Sequence, residues 1–137
     1  FVLDLTSNPE GASVQHARGA DGLAVAAGIA RAAGAANAPE LAAGEPLGSV
    51  GLVVGATVGS AVQDLRIDLA DVGGPLLAPG FGAQGAGAAE LARVFAGALR
   101  AVLVSSSREV IGAGPEGSAL RAAADSSLAA ARAALRG

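Results

Sequence analysis

"GPLLAPGFGAQGAGAAELARVFAGALRAVLVSSSR", Gly74 to Arg108, is the stretch on which the fold turns. It opens with a short apolar run, passes through a glycine turn, continues as an alanine-rich pattern and closes with a second apolar run ending in serines and Arg108. Within the middle pattern Leu91, Val94, Phe95 and Leu99 recur at the spacing of one helix face, while Glu90, Arg93 and Arg100 lie mostly off it. The pattern predicts an amphipathic cover helix over Ala86–Leu99. Two strands joined through such a helix must run parallel, so the stretch reads as a strand, a covering helix and a second, parallel strand.

The same grammar extends in both directions. Apolar runs of strand length occur at "FVLDLT" (1–6), "VGLVVGAT" (50–57), "GPLLAPG" (74–80) and "AVLVSSS" (101–107), each bounded by Gly, Pro or Ser. Helical patterns follow each: Ala12–Ala36, interrupted by "RGADG", then Ser60–Leu69, Ala86–Leu99 and Gly117–Leu135. Strands that are apolar almost throughout are those buried on both faces of a parallel sheet. The class is therefore α/β, four consecutive β-α units in a single domain over 1–137. Such a chain forms either a small doubly wound sheet or half of an eight-stranded barrel, and both place function at the carboxyl ends of the strands.

Composition narrows the chemistry. The chain is 52% hydrophobic and 15% charged, far too apolar for a disordered segment, and its only aromatics are Phe1, Phe81 and Phe95. Without cysteine it has no disulfide or thiolate metal site, and the lone His16 reads as a solvated or loop-bonded imidazole; no metal and no cofactor is expected. All nine basic residues are arginine and the net charge is −3, which leaves no footprint for nucleic acid. The uncharged run Pro46–Gln63 carries too much Gly, Ser, Thr, Pro and Gln for a membrane span and reads as a buried strand entering a loop, in a soluble protein. "FVLDLT" begins like the middle of a strand, so the sequence is expected to be a fragment of a longer protein.

Four strand ends form one candidate site: Thr6, Ser7 and Asn8; Ala56 and Thr57; the "PGFGAQG" loop, Pro79–Gly85; and Ser105–Arg108. Gly80, Gly82 and Gly85 allow positive φ and close backbone approach, so that loop N–H groups at Gly82 and Ala83 can turn toward an anion, with a helix starting just beyond. Gln84 adds an amide donor, and Arg108, one strand further, offers a planar fork for a phosphate. The G-x-G-x-x-G spacing also admits an NADP-binding Rossmann turn or a structural turn, although at least two units precede it and Pro79 sits at the first-glycine turn. "TSNPEG" (6–11) admits a helix cap by Ser7 or Asn8 as well as a ligand contact. Glu109 reads as a solvated charge or a general base. No carboxylate pair falls at a strand's carboxyl end, so no catalytic residue is assigned in this chain.

"TSNPEG", "PLLAPGFGAQG" and "VLVSSSREVIGAG" occur in this order after the first, third and fourth strands. In that combination the chain resembles orotidine 5′-phosphate decarboxylase, specifically a bacterial subgroup, from the fifth strand of its (β/α)8 barrel to the final helix. The resemblance implies a lyase of pyrimidine biosynthesis, cytoplasmic and homodimeric, that decarboxylates orotidine 5′-phosphate to UMP with its active sites at the subunit interface. It implies that Gln84 and Arg108 contact the phosphate, that Ser7 bonds the pyrimidine edge and that Pro79 lies against the base. The family's reaction also needs an Asp-Lys-Asp network on the early strands, and this chain contains no lysine. The resemblance thus implies a phosphate- and base-binding half whose catalytic N-terminal half-barrel lies elsewhere. A Rossmann-like NADP module and a non-catalytic phosphate-binding half-barrel are the alternatives.

Overall fold

The computed structural model describes residues 1–82 and 86–136. Four strands, β1 (Val2–Leu5), β2 (Leu52–Val54), β3 (Leu76–Pro79) and β4 (Val102–Ser105), make one parallel sheet in chain order, β1-β2-β3-β4. β1 is followed by α1 (Ala12–Gln15) and α2 (Val25–Ala42), β2 by α3 (Ala61–Asp64), β3 by α4 (Ala88–Val94), and β4 by α5 (Arg108–Gly112) and α6 (Gly117–Arg136). The order never reverses. A doubly wound sheet owes its dinucleotide crevice to such a reversal, so the described residues lack the switch point that the NADP reading requires. Sequential parallel strands are instead how the wall of a barrel is built.

The register separates the two faces of this wall. Leu52, Val54, Leu76, Ala78 and Val102 are buried and share a core with Val62, Leu91, Val94, Phe95 and the alanines of α2 and α6. On the other face Leu3 pairs with Val53, Val53 with Leu77 and Leu77 with Leu103, giving an apolar row straight across the sheet. Its ends are open to solvent, Leu3 by 63% and Leu103 by 51%. The helices cover one face only.

Helix boundaries depart from the periodicity in instructive places. Instead of one interrupted helix over Ala12–Ala36, a four-residue turn is followed by a loop closed by the Arg18–Ala24 bridge, and α2 then runs through Pro39 to Ala42. Proline cannot donate into the ladder, yet tertiary packing on this face outweighs that loss. Asn37, fully buried on α2, bonds three backbone groups: its Nδ2 donates to Val50 O (2.9 Å) and Val72 O (2.8 Å), and its Oδ1 accepts from Val50 N (2.9 Å). Gly74 has no room for a Cβ, which would meet the Val50 carbonyl and Asn37 Nδ2. This clamp ties the entries of β2 and β3 to the helix that follows β1.

The helix expected over Ser60–Leu69 is only Ala61–Asp64, because Arg66 turns into the left-handed region (φ 56°). Beyond it Leu65, Ile67 and Leu69 are buried while Arg66, Asp68 and Ala70 are exposed, the period of extended chain. α4 keeps its predicted face, with Leu91, Val94 and Phe95 buried, but is shorter than Ala86–Leu99. α6 packs against α4 and α5.

Candidate anion site at the strand carboxyl ends

Where β3 and β4 end side by side, with Pro79 opposite Ser105, a cavity of about 240 Å³ opens. Pro79, Gly80, Phe81, Ser105, Ser106, Ser107, Arg108 and Glu109 line it. The turn after β3 needs glycine twice, at Gly80 (φ 98°) and Gly82 (φ 75°), a backbone that side chains oppose. Gly82 N donates to Ala86 O (2.9 Å) and Ala86 N to Gly80 O (3.4 Å), so the two limbs of the loop are clasped. Phe81 is buried beneath them. Arg108 is exposed at the first position of α5, a short helix between β4 and α6. Three hydroxyls, one guanidinium and a glycine-permitted turn thus converge on one small polar cavity.

Of the residues assigned to phosphate contact, Arg108 lines this cavity and Gly82 stands next to it, beside Glu109; Gln84 and Ala83 lie outside the described residues. Pro79, assigned to the base, lines the cavity too. The helix beyond the loop does not present a bare N-terminus. The Glu90 carboxylate accepts from Gly87 N (2.9 Å), a bond that holds its carboxyl below the usual range. The first turn of α4 already carries an anion of its own.

Ser7 lies on the same carboxyl rim but after β1, two strands from β3, or about 10 Å at the usual strand spacing. Its neighbours form a closed hydrogen-bonded turn: Gln15 Nε2 donates to Thr6 Oγ1 (2.7 Å), Thr6 N to Gln15 Oε1 (3.1 Å), and Asn8 Nδ2 to Glu10 Oε2 (3.1 Å). Backbone hydrogen bonding first, then Asn8, draws the Glu10 carboxyl below its usual range. Asn8 occupies the position before the 3-10 turn Pro9–Gly11, with Pro9 at its start, yet no side chain caps it. The capping reading of Ser7 or Asn8 is therefore corrected: Asn8 spends its amide on Thr6 and Glu10, and Ser7 is exposed and outside those bonds.

Asp4 is the titratable group the sequence did not single out. It is the extra residue of a bulge, since Leu3 faces Val53 and Leu5 faces Val54. It is 1% exposed, and neither carboxylate oxygen has a hydrogen-bond partner. Burial pushes its pKa up to about 7. A larger cavity, about 690 Å³, lies at the opposite end of the strands among Pro46, Leu47, Leu69, Gly74, Leu99 and Ala101, with Arg100 as its single charge. Size favours that cavity, but chemistry favours the smaller one, where donors converge. Among the described residues no cluster of three His, Cys, Asp or Glu could hold a metal, and no helix is long and apolar enough to cross a membrane.

Comparison with known proteins agrees with this geometry. No family model matches the chain. Orotidine 5′-phosphate decarboxylase of Salinispora arenicola is 59% identical over 137 residues, all of this chain and 46% of that protein. The enzyme of the same name from Streptomyces coelicolor is 54% identical over 125 residues, 91% of this chain and 42% of that one. A crystal structure assigned to the Streptomyces avermitilis decarboxylase superposes with a TM-score of 0.87 at 52% identity, covering 100% of this chain and 45% of that chain. The chain is homologous to a segment of orotidine 5′-phosphate decarboxylase. It spans just under half the length of the curated relatives it matches.

The homology agrees with the strand order: the four units are half of a (β/α)8 barrel of the decarboxylase type. It also accounts for the uncovered apolar row, which lies where a closed barrel has its interior. In barrels of this kind the carboxyl ends of the strands carry the active site, and the loops after the last two strands commonly hold a phosphate. The cavity between β3 and β4 occupies that rim.

Proposed function

We propose that this chain is the phosphate- and pyrimidine-binding portion of an orotidine 5′-phosphate decarboxylase, the C-terminal half of its barrel, acting on orotidine 5′-phosphate to give UMP in pyrimidine biosynthesis. The observation that carries the reading is the junction of the Pro79–Phe81 turn with Ser105–Arg108 in one polar cavity, on a chain whose whole length aligns with a segment of decarboxylases. Arg108 and Gln84 hold the phosphate, with the backbone N–H of Ala83; the Gly82 N–H expected to join them is taken by Ala86 O. Pro79 lies against the base and Ser7 bonds the pyrimidine edge; two strands of separation suit a ligand with a phosphate at one end and a base at the other. No lysine is present to protonate a ring carbanion, so that proton comes from residues beyond these 137. The assembled enzyme is a cytoplasmic homodimer that needs no metal or cofactor.

The test is ligand binding. The chain should bind UMP in preference to uridine, and Arg108→Ala should weaken UMP binding about 10- to 100-fold, the loss of about 1.5–3 kcal/mol from a charge-assisted pair. In an enzyme completed with the lysine-bearing half, the same change should raise KM and lower kcat, since remote phosphate binding stabilises the transition state. UMP affinity that ignores Arg108→Ala would remove the phosphate site from this proposal.

A further inference from the structure

Glu109 is the one carboxylate lining the anion cavity among the described residues, and its side chain is exposed there. Its carboxylate lies so close to Gly82 that a Cβ there would overlap Glu109 Oε2 and come within 3.3 Å of Cδ. Gly82 belongs to the turn after β3, whereas Glu109 follows the end of β4. The side chain therefore crosses from one strand exit to the other, beside Arg108.

A phosphate and a carboxylate do not share such a place without cost. Between unit charges about 4 Å apart the interaction is about 1 kcal/mol even in water, and it grows as the site is desolvated.

We propose that Glu109 is the cavity's resident anion, a carboxylate at its mouth beside the Gly82 turn that the phosphate of a nucleotide monophosphate must push aside. It is a specificity-determining residue, because it lowers affinity for every anion that cannot repay its displacement with further contacts. Inorganic phosphate has only the cavity, whereas a nucleotide also gains the rest of the carboxyl rim. The inference rests on the assignment of this cavity to phosphate.

The experiment compares inorganic phosphate, UMP and uridine as ligands of the 137-residue chain, for wild type, Glu109→Gln, Glu109→Ala and Arg108→Ala. Glu109→Gln keeps the volume and removes the charge, so phosphate and UMP should both bind about fivefold more tightly at low salt, less so at high salt, with uridine unaffected. Glu109→Ala should give the same gain, since it too removes the charge. Phosphate affinity unchanged or weakened in Glu109→Gln, with Arg108→Ala still weakening binding, would overturn the resident anion and leave the phosphate site standing. Anion binding indifferent to Arg108→Ala would overturn both.

Discussion

The two faces of the sheet are equally apolar in sequence and opposite in fate. Leu52, Leu76 and Val102 meet the helices and are buried, while their neighbours Val53, Leu77 and Leu103 form, with Leu3, a row that nothing among the described residues covers. A sheet intended for water on one side would alternate apolar with polar residues. This one does not, so its sequence is written for burial on both sides and its 137 residues supply one of them. Several exposed hydrophobics lie in the first and last units of this wall: Phe1, Val2, Leu3 and Val14, and Leu103, Ile111 and Leu128. A closed barrel has no open edge.

The harshest test of this contrast is to give the open face its partner. The isolated chain should sediment as dimers, larger aggregates or partly unfolded material, and should show no decarboxylation. Adding a half-barrel that carries the lysine network should produce a defined species and turnover of orotidine 5′-phosphate from a baseline of none. A monodisperse, well-folded monomer would show that the open face tolerates water, and turnover by that monomer would remove the need for an external proton donor.

The contrast was partly legible beforehand. Strand-length apolar runs located all four strands within a few residues, and the stripe Leu91, Val94, Phe95 identified the face of α4 that is buried. Near-continuous apolarity announced burial on both faces but could not say that one cover lay outside the chain. What escaped was settled by tertiary contacts. The pattern expected to end at Ala36 runs on through Pro39 to Ala42, where Asn37, bonded across to Val50 and Val72, keeps that turn docked. The alternation of Leu65, Ile67 and Leu69 is present in "LRIDLAD" as an extended signal inside the stretch expected to be helical. Of the site, Pro79, the serines and Arg108 were readable because strand ends are predictable once strands are; the contact of Glu109 with Gly82 depends on how two loops meet.

Asp4 sharpens the comparison through pH. Leu3 lies on the open face and is 63% exposed, whereas Asp4 and Leu5 are each 1% exposed, so the carboxylate shelters with the covered side. Its pKa is raised from 3.8 to about 7 by burial, and the native state therefore holds a proton that the unfolded chain releases between those values. Stability from this group is complete below about pH 4 and is lost as pH rises through 7, by at most about 4 kcal/mol. Denaturant titrations of wild type and Asp4→Asn at matched concentration should diverge as pH rises from 4 to 8, the Asn form gaining relative stability. Parallel curves would mean that Asp4 is hydrated and belongs with the open face after all.

The smallest effect comes from truncating one residue of each face. Leu76 and Leu103 sit on neighbouring strands, Leu76 opposite Val102 and Leu103 one residue further along, with exposures of 0% and 51%. Leu76→Ala leaves a cavity in a packed layer and should cost about 2–5 kcal/mol. Leu103→Ala removes a side chain already half in water and should cost under about 1 kcal/mol, while reducing the self-association seen in sedimentation. If the chain has paired its open faces with those of another copy, Leu103 is buried in the assembly and the two costs converge, with the Leu103 penalty growing as protein concentration rises. A Leu103 penalty that equals that of Leu76 at every concentration would mean that this face is covered within the chain, and the reading of the sheet as half of a barrel wall would fail.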